Sequence, residues 1–104
     1  MFKVYGSQMC PDCRKCKVNF DEYGIEYTFI DITESLGGLK EFLKLRDNKE
    51  IFEPYKEKGK IGIPFVMGKN GEEFCDWEKY LVDKGLEVKS EAFGQACSID
   101  GKGC

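Results

Sequence analysis

Residues 2–16 read FKVYGSQMCPDCRKC, and this stretch constrains the fold more than any other. "FKVY" is a short β-type run. Gly6, Ser7 and Gln8 make a loop, and Pro11 follows Cys10 where a helix opens. Proline suits the first helical position because its missing N–H would go unpaired there anyway. Cys13, Cys16, Phe20 and Tyr23 then share one helical stripe, and Gly24 is a stop signal. "IEYTFIDI", residues 25–32, returns to a β pattern with β-branched and aromatic side chains. A strand, a helix and a second strand in this order predict a parallel pair with a right-handed crossover.

The rest of the chain completes the plan. Thr33, Glu34 or Ser35 starts a second helix with apolar positions at Leu36, Leu39, Phe42, Leu43 and Leu45. Residues 50–60 form a polar connection with room for a helical turn. "PFVM" and "EEFC" flank Asn70-Gly71 and predict a hairpin with a tight turn, because both turn residues tolerate positive φ. Asp76 caps a third helix, WEKYLVDKG, that ends at Gly85. The predicted order is β-α-β-α-β-β-α, with a mixed four-stranded sheet between helices. Residues 1–85 read as one domain. Residues 86–104 read as a tail that carries Cys97 and Cys104.

Composition narrows the function. A formal net charge of −3, with scattered lysines, argues against nucleic acid and anionic membranes as partners. The N-terminus reads as free of a signal peptide, and no apolar run is long enough to span a bilayer. The expected location is cytoplasmic and the expected state a monomer. There thiols stay reduced, so the six cysteines point to catalytic or metal-binding use rather than a disulfide framework. The chain has no histidine, so it lacks the usual imidazole base and metal ligand.

A thiolate, not a thiol, is the nucleophile, and a cysteine at a helix N-terminus is helped to ionise by unpaired N–H groups. Cys10 holds that position and is expected to be exposed at the helix start. Cys13, one turn on, can attack a mixed disulfide formed at Cys10. Asp12, between them, should raise the Cys10 pKa and make the pair more reducing. Cys16 falls on the apolar stripe and reads as a buried structural thiol. The alternative is a zinc or iron–sulfur module in which Cys10, Cys13 and Cys16 are joined by a tail cysteine. Pro64, in "GIP", heads the hairpin, where a proline suits an edge or a cis turn.

Together these pieces resemble the glutaredoxin branch of the thioredoxin superfamily. "CPDC" is similar to its C-P-x-C site, "GIP" to the segment that carries its cis-proline, and "CDW" to the short motif before its last helix. The resemblance spans residues 1 to about 85. It implies a thioredoxin-like three-layer α/β/α sandwich and thiol–disulfide oxidoreduction with a dithiol mechanism. Cys10 would be the nucleophile and Cys13 the resolving thiol. Pro11, Ile63, Pro64, Cys75 and Asp76 would contact the thiol substrate, with no bound cofactor. Its partners would be a disulfide-containing protein or small molecule and a thiol donor or reductase. Ser7, Asp12 and Gly62 stand where the family usually has lysine, an aromatic residue and threonine. The co-substrate is therefore glutathione or another low-molecular-weight thiol.

Overall fold

The computed structural model describes residues 1–68 and 70–89. The strands are β1 (Phe2–Gly6), β2 (Tyr27–Asp31), β3 (Phe65–Met67) and β4 (Glu73–Phe74). The α-helices are α1 (Pro11–Glu22), α2 (Leu36–Asn48), α3 (Glu53–Glu57) and α4 (Trp77–Asp83), and a 3-10 turn, Glu50–Phe52, leads into α3. The sheet order is β2-β1-β3-β4. β1 runs parallel to β2, from Phe2 opposite Tyr27 to Gly6 opposite Asp31, and antiparallel to β3, with Val4 opposite Val66. This is the predicted mixed α/β arrangement, with the short α3 in the segment read as a connection.

Because side chains alternate along a strand, the central β1 feeds two cores. Val4 packs with Val66 and with Cys16, Phe20, Trp77 and Leu81 of α1 and α4. Tyr5 packs on the opposite face with Phe42 of α2, and with Phe52 and Phe65. Helices therefore cover both faces of the sheet. Cys10 and Cys13, at the head of α1, join the Tyr5 cluster, whereas Cys16, one turn later, joins the Val4 cluster. No helix among the described residues is long and apolar enough to cross a membrane.

Local signals set the helix starts. Ser35 caps α2 by accepting from the Gly38 N–H at 3.0 Å, and Asp76 caps α4 by accepting from the Lys79 N–H at 3.1 Å. The hairpin turn differs from the two-residue turn expected at Asn70-Gly71. The last strand pair is Met67 with Glu73, and Gly68 N–H donates to Glu72 O at 2.7 Å. Among the described residues of the loop, Gly71 has positive φ, +81°, and Asn70 does not, so these two residues do not form the turn in which both are left-handed. The chain stays packed past Gly85, since Leu86 and Val88 lie against the Val4 cluster.

Candidate active site

The site is built where β1 ends and α1 begins. Gly6, the last residue of β1, accepts from the Ile32 N–H, and the chain turns through Ser7, Gln8 and Met9. Ser7 is buried. Its hydroxyl accepts from the Met9 N–H at 3.0 Å and pairs with the Thr33 hydroxyl at 2.9 Å. The Asp31 carboxylate accepts from the Thr33 N–H at 2.8 Å and from the Gln8 N–H at 3.4 Å. The loop ahead of Cys10 is thus tied to the end of β2.

Cys10 is the N-cap of α1, and Pro11 follows at the first helical position. The Cys10 Sγ accepts from the backbone N–H of Cys13 at 3.3 Å. The Cys13 thiol is the main influence that lowers the Cys10 pKa, helped by the backbone N–H groups of Cys13 and Asp12. Burial and the Asp12 carboxylate oppose it. Asp12 therefore acts in the expected direction but is outweighed. Cys13 moves the other way: the hydrogen bond with Cys10, burial and the Cys10 charge all push its pKa up. In this coupled pair, Cys10 gives up its proton more readily than Cys13.

One expectation needs correction. A thiol at a helix start was expected to be exposed, yet Cys10 is 0% exposed while Met9 beside it is 72% exposed. Cys10 belongs to the same packed cluster as Cys13, Ile63, Phe65 and Cys75, and that packing covers it. Helix position alone does not say which distant segments pack beside the sulfur.

The segment opposite the cysteines is held from several sides. The Ile63-Pro64 peptide bond is cis, and both residues are buried. Arg46, in the last turn of α2, donates through Nε to Ile61 O and through Nη2 to Lys60 O, both at 2.9 Å. Gly62 has φ +94°, and a β-carbon there would stand 2.8 Å from Phe52 Cδ1. A threonine at this position is thus excluded by both backbone and space. Cys75 donates through Sγ to Gly62 O at 3.5 Å and lies beside the Tyr55 hydroxyl. Burial pushes the Cys75 thiol up to about 12, against the Tyr55 hydroxyl, which lowers it.

Asp12 sits where α1 meets α4. Burial raises its pKa first, and the Glu78 carboxylate adds to this. The Trp77 indole N–H lies close enough to lower it, although that buried N–H closes no hydrogen bond of normal geometry. Lys15 bridges the same two helices, 3.7 Å from the Glu78 carboxylate. Asp76 is exposed and spends one carboxylate oxygen on capping α4.

Of the residues singled out from the sequence, Cys10, Cys13, Ile63 and Cys75 share one cluster. Cys16 is in the other, and burial raises its pKa. Among the described residues, no group of three or more cysteine or carboxylate side chains is placed to hold a metal ion. Cys97 and Cys104 lie outside the described residues. Sequence reasoning missed Gly6, Arg46 and Tyr55. The signal for Gly6 was its place at the end of a strand next to the cysteines; Arg46 and Tyr55 left no local signal, because each works through a segment distant in sequence.

The sequence profile of the glutaredoxin family matches residues 2–67. A protein of Haemophilus influenzae, described only as uncharacterized, is 33% identical over 79 residues, which cover 76% of this chain and 92% of that protein. No solved structure matches the chain. With a matched region that includes both cysteines of the C-P-x-C stretch and the cis-proline, the chain belongs to the glutaredoxin family.

Proposed function

We propose that the protein is a thiol–disulfide oxidoreductase that works through Cys10 and Cys13. The observation that carries this reading is the split within the pair. Cys10, capped by the Cys13 N–H, is the better thiolate, and Cys13 keeps its proton. Cys10 thiolate attacks a substrate disulfide, a new S–S bond forms, and one substrate sulfur leaves as a thiolate that takes up a proton. Cys13 then loses its proton and attacks the Cys10 sulfur. The second substrate thiol is released, and the Cys10–Cys13 disulfide holds the two electrons' worth of oxidation.

The backbone of Ile63, before cis-Pro64, offers an edge on which an extended substrate segment can lie, and Cys75 and Asp76 flank it. Because Cys10 is covered in the reduced protein, substrate entry displaces part of that packing. The substrates are disulfides of proteins or small molecules in the cytoplasm, and a thiol or a reductase regenerates the dithiol. The protein acts as a monomer without a bound cofactor. Ser7 supports a reductant other than glutathione, since its hydroxyl is committed to Met9 and Thr33 and offers no cation to a carboxylate.

The reading is tested with two variants assayed for reduction of a model disulfide. Cys10→Ser should abolish turnover, and Cys13→Ser should accumulate a mixed disulfide at Cys10, visible by intact mass. Full activity in Cys10→Ser would sink the proposal. Comparing glutathione with other thiols as the regenerating donor identifies the co-substrate class.

A further inference from the structure

Ser7, the first residue past β1, is buried and has each of its polar groups engaged. Its carbonyl accepts from the Cys10 N–H at 3.1 Å. Its hydroxyl oxygen accepts from the Met9 N–H at 3.0 Å and pairs with the Thr33 hydroxyl at 2.9 Å. The direction of that pairing follows from the next bond. Thr33 has one hydroxyl proton, and it goes to Asp31 Oδ1 at 2.5 Å. The Ser7 hydroxyl therefore donates to Thr33. A chain of donors runs from the Met9 N–H through the Ser7 and Thr33 hydroxyls and ends on a carboxylate, each bond polarising the next. Burial works against the charge on Asp31, but hydrogen bonds from the Thr33 hydroxyl and from the N–H groups of Thr33, Gln8 and Glu34 outweigh it and lower its pKa.

The remaining polar group of Ser7, its N–H, lies against the Cys13 sulfur. The Cys10 thiol, burial and the charges of Cys10 and Asp12 all oppose a negative Cys13 sulfur, and the Ser7 N–H favours it. The close approach of this sulfur to the end of β1 is seen independently at Gly6, where a β-carbon would stand 2.8 Å from Cys13 Sγ.

Cys13 carries negative charge twice in a dithiol cycle. It does so first when it loses its proton and attacks the Cys10 sulfur of the mixed disulfide, which expels the substrate thiolate. It does so again when a donor thiolate attacks the Cys10 sulfur of the Cys10–Cys13 disulfide and the Cys13 sulfur leaves as a thiolate. A buried thiolate is costly without a hydrogen bond. A donor already fixed in place lowers that cost with no rearrangement at the moment of reaction.

We propose that Thr33 and Asp31 are positioning residues for the resolving half of the reaction: through the Ser7 hydroxyl they hold the Ser7 N–H against the sulfur of Cys13 as it becomes a thiolate. The proposal rests on the thiol–disulfide reading above. It assigns the end of β2 to the second step and leaves the first attack, by Cys10, to the N–H groups at the start of α1.

The test uses the full chain, reduced, with Cys97→Ser and Cys104→Ser so that those thiols add no signal. The probe is one equivalent of a symmetric aromatic disulfide whose released thiolate absorbs light. Attack by Cys10 releases the first thiolate and resolution by Cys13 the second, so one trace reads both steps. Thr33→Val should slow the second phase several-fold and leave the first unaltered. Thr33→Ser, which keeps the hydroxyl, should restore the second phase. Ser7→Ala breaks the same chain from its other side and should slow the second phase as much, with no further loss when combined with Thr33→Val. An unaltered second phase in Thr33→Val, equal slowing of both phases, a Thr33→Ser loss as large as that of Thr33→Val, or additive losses in the double variant would overturn the assignment. Should Thr33→Val fail to fold, an unaltered second phase or equal slowing of both phases in Ser7→Ala overturns it instead. The thiol–disulfide reading fails separately, if Cys10→Ser leaves both phases in place.

Discussion

The Cys13 sulfur lies so close to the backbone of Gly6 that a β-carbon on that glycine would stand 2.8 Å from Sγ. The same β-carbon would be 3.2 Å from Phe29 Cε1. The thiol pair thus owes its place to a missing side chain on the neighbouring strand. Gly6→Ala is expected to destabilise the protein by about 1–3 kcal/mol through overpacking. It should also displace Cys13 and slow closure of the Cys10–Cys13 disulfide. Urea unfolding of the reduced protein and the rate of disulfide closure check both effects.

Asp12 and the Cys13 thiol pull the Cys10 pKa in opposite directions, and the thiol wins. Asp12→Asn removes the opposing charge. The pH midpoint of Cys10 alkylation should fall below that of the wild type, so that alkylation is faster at any pH under the midpoint. A midpoint that rises in this variant would contradict the arrangement. The measurement is the rate of iodoacetamide labelling of Cys10 against pH.

Buried thiols should make the reduced protein sensitive to alkali. Burial is the largest cause that raises Cys16 and Cys75, the latter to about 12. In the unfolded chain both titrate near an ordinary ~8.5. Between the two values the native state holds more protons, so stability is lost as pH rises, by about 1.4 kcal/mol per pH unit for each thiol. Cys10 has the opposite sign, since its lowered pKa contributes stability that is complete above the unfolded value and lost as pH falls through the native one. Urea midpoints across the alkaline range should decline, and Cys16→Ala should flatten the decline.

Arg46 and Gly62 hold the backbone that faces the cysteines. Arg46→Met removes two charged hydrogen bonds to the carbonyls of Lys60 and Ile61 and should cost about 1–3 kcal/mol. Amide exchange should quicken across residues 60–63, and KM for a protein disulfide should rise more than kcat falls. Gly62→Ala should cost about 1–3 kcal/mol, because φ is +94° there and Phe52 occupies the space a methyl would need. Thermal unfolding separates this variant from wild type.

Much of the fold was legible along the chain because its signals are local. Period-two runs, the Pro11 helix start, the Ser35 and Asp76 caps and the run from β1 through α1 to β2 all act within a few residues. They led to the order of elements, the mixed sheet and the inward turn of Cys16. The hairpin turn was less legible, because Asn70-Gly71 fits more than one loop length and the strand register chose among them.

What the sequence by itself determined was which residues could carry chemistry: two cysteines one turn apart at a helix start, and a proline at the head of a later strand. The tertiary structure alone decided how they stand. It buried Cys10 in one cluster with Ile63, Phe65 and Cys75, made room for Cys13 at Gly6, tied the cis-proline loop to Arg46, and turned residues 87–89 back along α1. Each of these depends on contacts between segments far apart in sequence, where burial and hydrogen bonding are settled by packing rather than by any pattern a local stretch can hold.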